Sequence, residues 1–178
     1  MSGILIAGLG NLFLGDDAFG VEVVQRMRDR PLREGVRVED FGICGIDLTY
    51  ALLDGVDMAI LVDATQRGGP PGSLYLLDAS ASLQRDEEAN AALPQGLLLS
   101  PHEMEPDKVL RSVSLLGGTC ERILLVGCEP ESFGTEADQE GRIGLSETVA
   151  ASVEQAIALI ESLLDQAAEG QAARSVVS

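Results

Sequence analysis

Five short apolar, β-branched runs recur along the chain, at Ile4–Leu9, Val36–Phe41, Met58–Ala64, Ser73–Leu77 and Arg122–Gly127. Between several of them apolar residues fall at helical spacing instead. Val21, Val24 and Met27 mark one face of a first helix, and Val109, Leu110, Val113 and Leu116 mark another. Val149, Val153, Ala156, Ile157, Ile160, Leu163 and Leu164 mark a long C-terminal helix, with Ser146 and Glu147 suited to its start. Runs that stay apolar on successive residues are strands covered on both faces, and strands alternating with helices form parallel sheets. The pattern therefore predicts an α/β three-layer sandwich, a mainly parallel twisted sheet of about five or six strands with helices on both faces.

No linker or internal repeat divides the 178 residues, so one domain is expected over residues 1–168. Residues 169–178 lack a sustained packing pattern and read as a frayed tail. Two polar stretches, 79–96 and 129–142, read as surface loops. The net charge of −17 repels a phosphate backbone, and no nucleic-acid partner is expected. Solubility is the plain reading of that charge, and attraction of a cation or a basic partner is the sharper one. No apolar run approaches a membrane span, so no membrane insertion is expected, and the residues ahead of the first strand do not read as a basic, cleavable leader, so none is expected. Three cysteines, with no CxxC pair, suit a reducing compartment. The expected location is cytoplasmic.

The loop after the first strand carries glycines at positions 8, 10 and 15. It fails as a dinucleotide fingerprint, because Phe13 stands where the third glycine belongs, and no Gly-Lys-Ser/Thr follows to make a phosphate loop. Asp16 and Asp17 follow instead, where a pyrophosphate would meet competing anions. One of the two is expected to cap the next helix, which leaves the other free to face the space above the sheet.

Asp63 closes the apolar run AILVDA. A charge on the last residue of a buried strand lies where open α/β sheets bind ligands, outside the strands' carboxyl ends. A turn or capping residue is the bland alternative. His102, the single histidine, sits in the loop LLLSPHEMEP ahead of a helix expected to start near Pro106 or Asp107. Two carboxylates and an imidazole from separate loops suit a divalent transition metal such as zinc or nickel. A cysteine hydrolase would need Cys44 beside His102, and no GxSxG elbow supports a serine one. Cys44 reads as an inert thiol, and Cys120 and Cys128 as packing residues.

Taken together, the segments GLGNLFLGDDAFGV (8–21), FGICGIDLTYAL (41–52), ILVDA (60–64), SPHEMEP (100–106), ILLVGCEPE (123–131) and GLSETV (144–149) resemble the [NiFe]-hydrogenase maturation endopeptidases. The resemblance implies removal of a C-terminal extension from the hydrogenase large-subunit precursor after nickel insertion. By motif it places the family's metal-binding and catalytic acids and histidine on Asp17, Asp63 and His102. Position 17 carries the shorter Asp where some relatives have Glu. Asp16 matches the acid before the ligand, and Gly42 and Gly45 match a loop that positions substrate. The implied fold is a twisted sheet between helices, phosphorylase/hydrolase-like, in agreement with the alternation above. It is similar to peptidyl-tRNA hydrolase, which also begins GLGN, but the acidic charge speaks against a tRNA ligand.

The resemblance further implies nickel supplied by the substrate, with another divalent metal such as zinc or cadmium able to occupy the site in vitro. The metal would polarise the scissile carbonyl or lower the pKa of a water nucleophile. The alternative is a non-catalytic nickel-sensing assembly factor or metallochaperone for the same precursor. A nucleotide-dependent enzyme built on the glycine loop is a third reading.

Overall fold

The first apolar run forms β1 (Gly3–Leu9), buried from Ile4 to Leu9. It is covered on both faces because it lies inside the sheet, paired in parallel with β2 (Val36–Gly42) and with β3 (Val56–Ala64). The structure is a computed structural model that describes residues 3–80, 106–118, 120–133 and 143–176, with side chains through 170. Beyond β3 the sheet continues in parallel to β5 (Arg122–Cys128), and β4 (Leu74–Asp78) closes that side antiparallel to β5. The order is β2-β1-β3-β5-β4, five strands with β4 alone reversed.

Alternate residues of β1 feed two separate cores. Ile4 and Ile6 point to the face covered by α1 (Phe19–Arg28), α4 (Glu147–Ala150) and α5 (Val153–Val176). Leu5, Ala7 and Leu9 point to the face covered by α2 (Gly45–Leu53) and α3 (Pro106–Leu115). Helices on both sides of a mainly parallel sheet make the three-layer sandwich that the alternation predicts.

Two helices depart from the sequence pattern. α2 is absent from it, because Thr49 and Tyr50 are weak helix formers and its N-cap, Cys44, makes no side-chain cap. Packing decides the matter. Leu48 and Leu52 are fully buried, and each contributes about 2 kcal/mol on burial, against a few tenths per residue for propensity. The C-terminal apolar series, by contrast, runs through two helices. The chain turns at Ala151–Ser152, where the Ser152 hydroxyl donates to the Gly72 carbonyl at 2.7 Å. α5 then continues to Val176, past the expected boundary at 168, through residues rich in the helix formers Ala, Gln and Glu. No helix among the described residues is long and apolar enough to cross a membrane.

Candidate active site

Parallel strands end on one side, so β1, β2, β3 and β5 deliver their loops to a common edge. Close contacts with glycine bring Asp17 there. A Cβ on Gly10 would lie 1.7 Å from the Asp17 carbonyl oxygen, and one on Gly20 would lie 2.0 Å from that of Val62. Gly10 also has φ +127°, which side chains rarely adopt. The loop thus folds back tightly, and the first turn of α1 rests on the end of β3.

Asp17 is half-buried in the short 3₁₀ turn Asp16–Ala18. Its Oδ2 accepts a hydrogen bond from the Asn11 N–H at 2.8 Å. Burial raises its pKa, and the Asn11 bond opposes the rise. Asp63 lies opposite Gly127 at the end of β3 and is also half-buried. Burial, followed by the negative charge of Asp17, pushes its pKa up to about 7, against a hydrogen bond at Ala64. The two acids therefore share one site. Such a pair favours a cation between them, and carboxylate oxygens are suitable donors for one.

Asp16 turns the other way. It is buried and accepts four hydrogen bonds: from the N–H groups of Glu131 (2.9 Å), Ser132 (3.0 Å) and Ser146 (2.7 Å), and from the Ser146 hydroxyl (3.1 Å). Burial alone would raise its pKa, but the bonds from Ser146, Ser132 and Glu131 together lower it. Neither acid caps the following helix, contrary to the expectation from their spacing. The N-cap of α1 is Ala18, with no side-chain bond, and both carboxylates are engaged elsewhere. Asp16 instead ties the β1 loop to the connection between β5 and α4.

Gly42 ends β2 at φ +51°, and its carbonyl accepts from the Gly10 N–H at 2.9 Å, which links two loops of the site edge. Gly45 is the buried first residue of α2, and its carbonyl accepts the Thr49 hydroxyl at 2.8 Å. His102 lies outside the described residues, and so does most of the stretch 79–96. Among the described residues, no group of three or more His, Cys, Asp and Glu is arranged to hold a metal ion. Cys120 and Cys128 are buried in the cores as expected, and burial pushes the Cys128 thiol up to about 11. Cys44 is half-buried at the start of α2.

One residue of this edge escaped the sequence reading. Glu129, just beyond β5, accepts from the N–H groups of Arg67 (2.8 Å) and Gly68 (3.0 Å) and from the Tyr75 hydroxyl (2.9 Å). Those bonds hold its pKa low against the opposing effect of burial. It pins the loop that follows Asp63, and Arg67 lies over the Tyr75 ring, 5.6 Å from its centroid. The signal was the one that marks Asp63: a charge following a buried apolar strand.

Comparisons with known proteins agree with this architecture. Residues 21–163 match the model of the HycI family, hydrogenase maturation protease. The hydrogenase 2 maturation protease of Escherichia coli K12 is 33% identical over 156 residues, covering 86% of this chain and 85% of that one. The hydrogenase expression/formation protein HupM of Azotobacter chroococcum is 32% identical over 165 residues, 90% of this chain and 71% of that one. Among solved structures, the E. coli hydrogenase maturating endopeptidase HybD aligns with TM-score 0.72 at 28% identity, covering 93% of each chain. The [NiFe] hydrogenase maturation protease HycI from Thermococcus kodakarensis aligns with TM-score 0.66 at 25% identity, covering 92% of this chain and 93% of that one. The chain whose glycine loop sets two carboxylates at the edge of a parallel sheet belongs to the hydrogenase maturation protease family.

Proposed function

We propose that this protein is an endopeptidase that removes the C-terminal extension of a [NiFe]-hydrogenase large-subunit precursor. The observation that carries the reading is the placement of Asp17 and Asp63 together at the carboxyl edge of the sheet, where Gly20 at the start of α1 packs on the Val62 carbonyl just before Asp63. In this reading the cation the pair receives is nickel already seated in the precursor, and His102 completes the ligand set. Nickel there would act as a Lewis acid toward the scissile carbonyl or a water. Asp17, anchored by Asn11, holds its carboxylate in place as a ligand. Asp63 exchanges its proton near neutral pH, which suits either a ligand that ionises on binding or a base for water. Family membership supports proteolysis, and the absence of a GxSxG elbow removes the usual serine alternative.

The test is processing of nickel-loaded and nickel-free precursor side by side, read as a shortened large subunit on a gel. Cleavage of the loaded form alone is the expected outcome, and equal cleavage of both ends the idea that substrate nickel is sensed. Binding without a shorter product would instead identify an assembly factor or metallochaperone. His102→Ala should lose processing while keeping its melting temperature.

A further inference from the structure

The loops of the site edge carry apolar side chains that the two cores do not use. Among the described residues nine large apolar side chains are exposed, and five of them lie here: Leu12, Phe13, Ile43, Phe133 and Ile143. Phe13 is 64% exposed and Ile143 77%. The other four are scattered, on the link from α1 to β2, on α2, on β4 and after α3. Single exposed apolar residues are ordinary, whereas several on adjoining loops mark a contact surface.

These loops are joined to one another. The Gly10 N–H donates to the Gly42 carbonyl at 2.9 Å, linking the segment of Leu12 and Phe13 to that of Ile43. Gly15 pairs with Phe133 in an antiparallel bridge. Asp16 holds Ser132, next to Phe133 in the chain, and Ser146, three residues after Ile143. Because the segments of Leu12, Phe13, Ile43 and Phe133 are tied to one another before any partner arrives, less ordering entropy opposes docking.

The geometry points to a protein-docking rim: Leu12, Phe13, Ile43, Phe133 and Ile143 seat the apolar surface of the large-subunit precursor around the Asp17–Asp63 pair. The inference rests on the precursor-processing reading and adds the surface that recognises the partner. Charge complementarity selects the occupant. Two adjacent acids at the centre favour a cation, and an apolar border favours a partner that presents its cationic centre within apolar surroundings. A free metal ion would satisfy the acids and leave the border unused, and a nucleic acid fits neither the border nor a chain of charge −17. Excluding water at the border strengthens the attraction at the centre.

The experiment compares wild type with Phe13→Ser, Ile143→Ser and their double variant. Leu116→Ser, an exposed site at the opposite edge of the sheet, is the control. KM and kcat are measured on the nickel-loaded precursor, Kd for that precursor by calorimetry, and self-association by sedimentation. The double variant should raise KM and Kd about tenfold or more, with kcat and melting temperature unchanged. Wild-type KM and Kd in the double variant, or an equal loss in Leu116→Ser, would overturn the rim. A wild-type dimer that the double variant dissolves would reassign the surface to a second copy of this chain. If wild type binds the precursor without cutting it, the processing reading fails, and the Kd comparison alone decides the rim.

Discussion

Ser146 and Asp16, 130 residues apart in sequence, are joined by two hydrogen bonds, from the Ser146 N–H at 2.7 Å and from its hydroxyl at 3.1 Å. The same hydroxyl accepts the Val149 N–H at 3.3 Å and so caps α4. In a capping box, the carboxylate that reaches back to the N-cap N–H comes from within the helix. Here it comes from the loop after β1, so the helix start and the candidate site share one anchor.

Asp16→Ala should therefore destabilise the protein by about 3 kcal/mol or more. It strands buried N–H donors that had a charged acceptor, whereas Ser146→Ala, which removes a cap, should lose only about 1 to 2 kcal/mol. Urea unfolding measures both. An Asp16→Ala loss below that of Ser146→Ala would show that the anchor is dispensable.

The same anchor makes a statement about acid. The folded-state pKa of Asp16 lies below its ordinary value, so its contribution is complete above the unfolded-state value of about 3.9. It is lost as pH falls through the lower folded value. The stability difference between wild type and Asp16→Asn should hold constant from neutral pH to about pH 5 and shrink below pH 4. A difference that grows on acidification would contradict this assignment.

How much of this the sequence discloses depends on the range of the interaction that decides each feature. β1, β3 and β5 are legible as uninterrupted apolar runs because central parallel strands are buried on both faces, and Asp63 stands out as the charge that ends one of them. The helix start at Ser146 is legible because capping is local. α2 is not, since Leu48 and Leu52 are its only fully buried large side chains and tertiary packing outweighs its propensity. Nor is the division of labour between adjacent acids. Asp16 and Asp17 are equivalent by spacing, and the partners that separate them are Asn11, six residues away, and Ser146, far along the chain.

Gly20→Ala probes the step that carries Asp17 to β3. Its new Cβ would lie 2.0 Å from the Val62 carbonyl oxygen and 2.4 Å from that of Leu9, backbone atoms on both central strands. Overpacking of this kind costs about 3 kcal/mol, or more where backbone cannot yield. α1 should lift and separate the acids, so processing should fall even below the temperature at which the variant melts. Full activity in a folded Gly20→Ala protein would show that the Asp17–Asp63 spacing is not critical.

Asp63→Asn should stabilise the free protein and abolish its activity. With a folded pKa of about 7 and an unfolded value of about 3.9, the native state binds the extra proton between them. Wild-type stability therefore declines as pH rises across that window, and above pH 7 the folded protein holds a carboxylate that burial and Asp17 both disfavour. The amide removes that charge. Because the site is open to solvent on one side, the gain should be on the order of 2 kcal/mol at pH 8, vanishing near pH 4. A divalent cation relieves the same repulsion in the wild type. Zinc or nickel affinity should thus fall about tenfold per pH unit below pH 7, with a proton released on binding. Urea unfolding of both proteins at the two pH values, with calorimetric metal titration of wild type at pH 6 and 8, tests the argument. A variant no more stable than wild type at pH 8, or metal binding indifferent to pH, would separate Asp63 from the cation site.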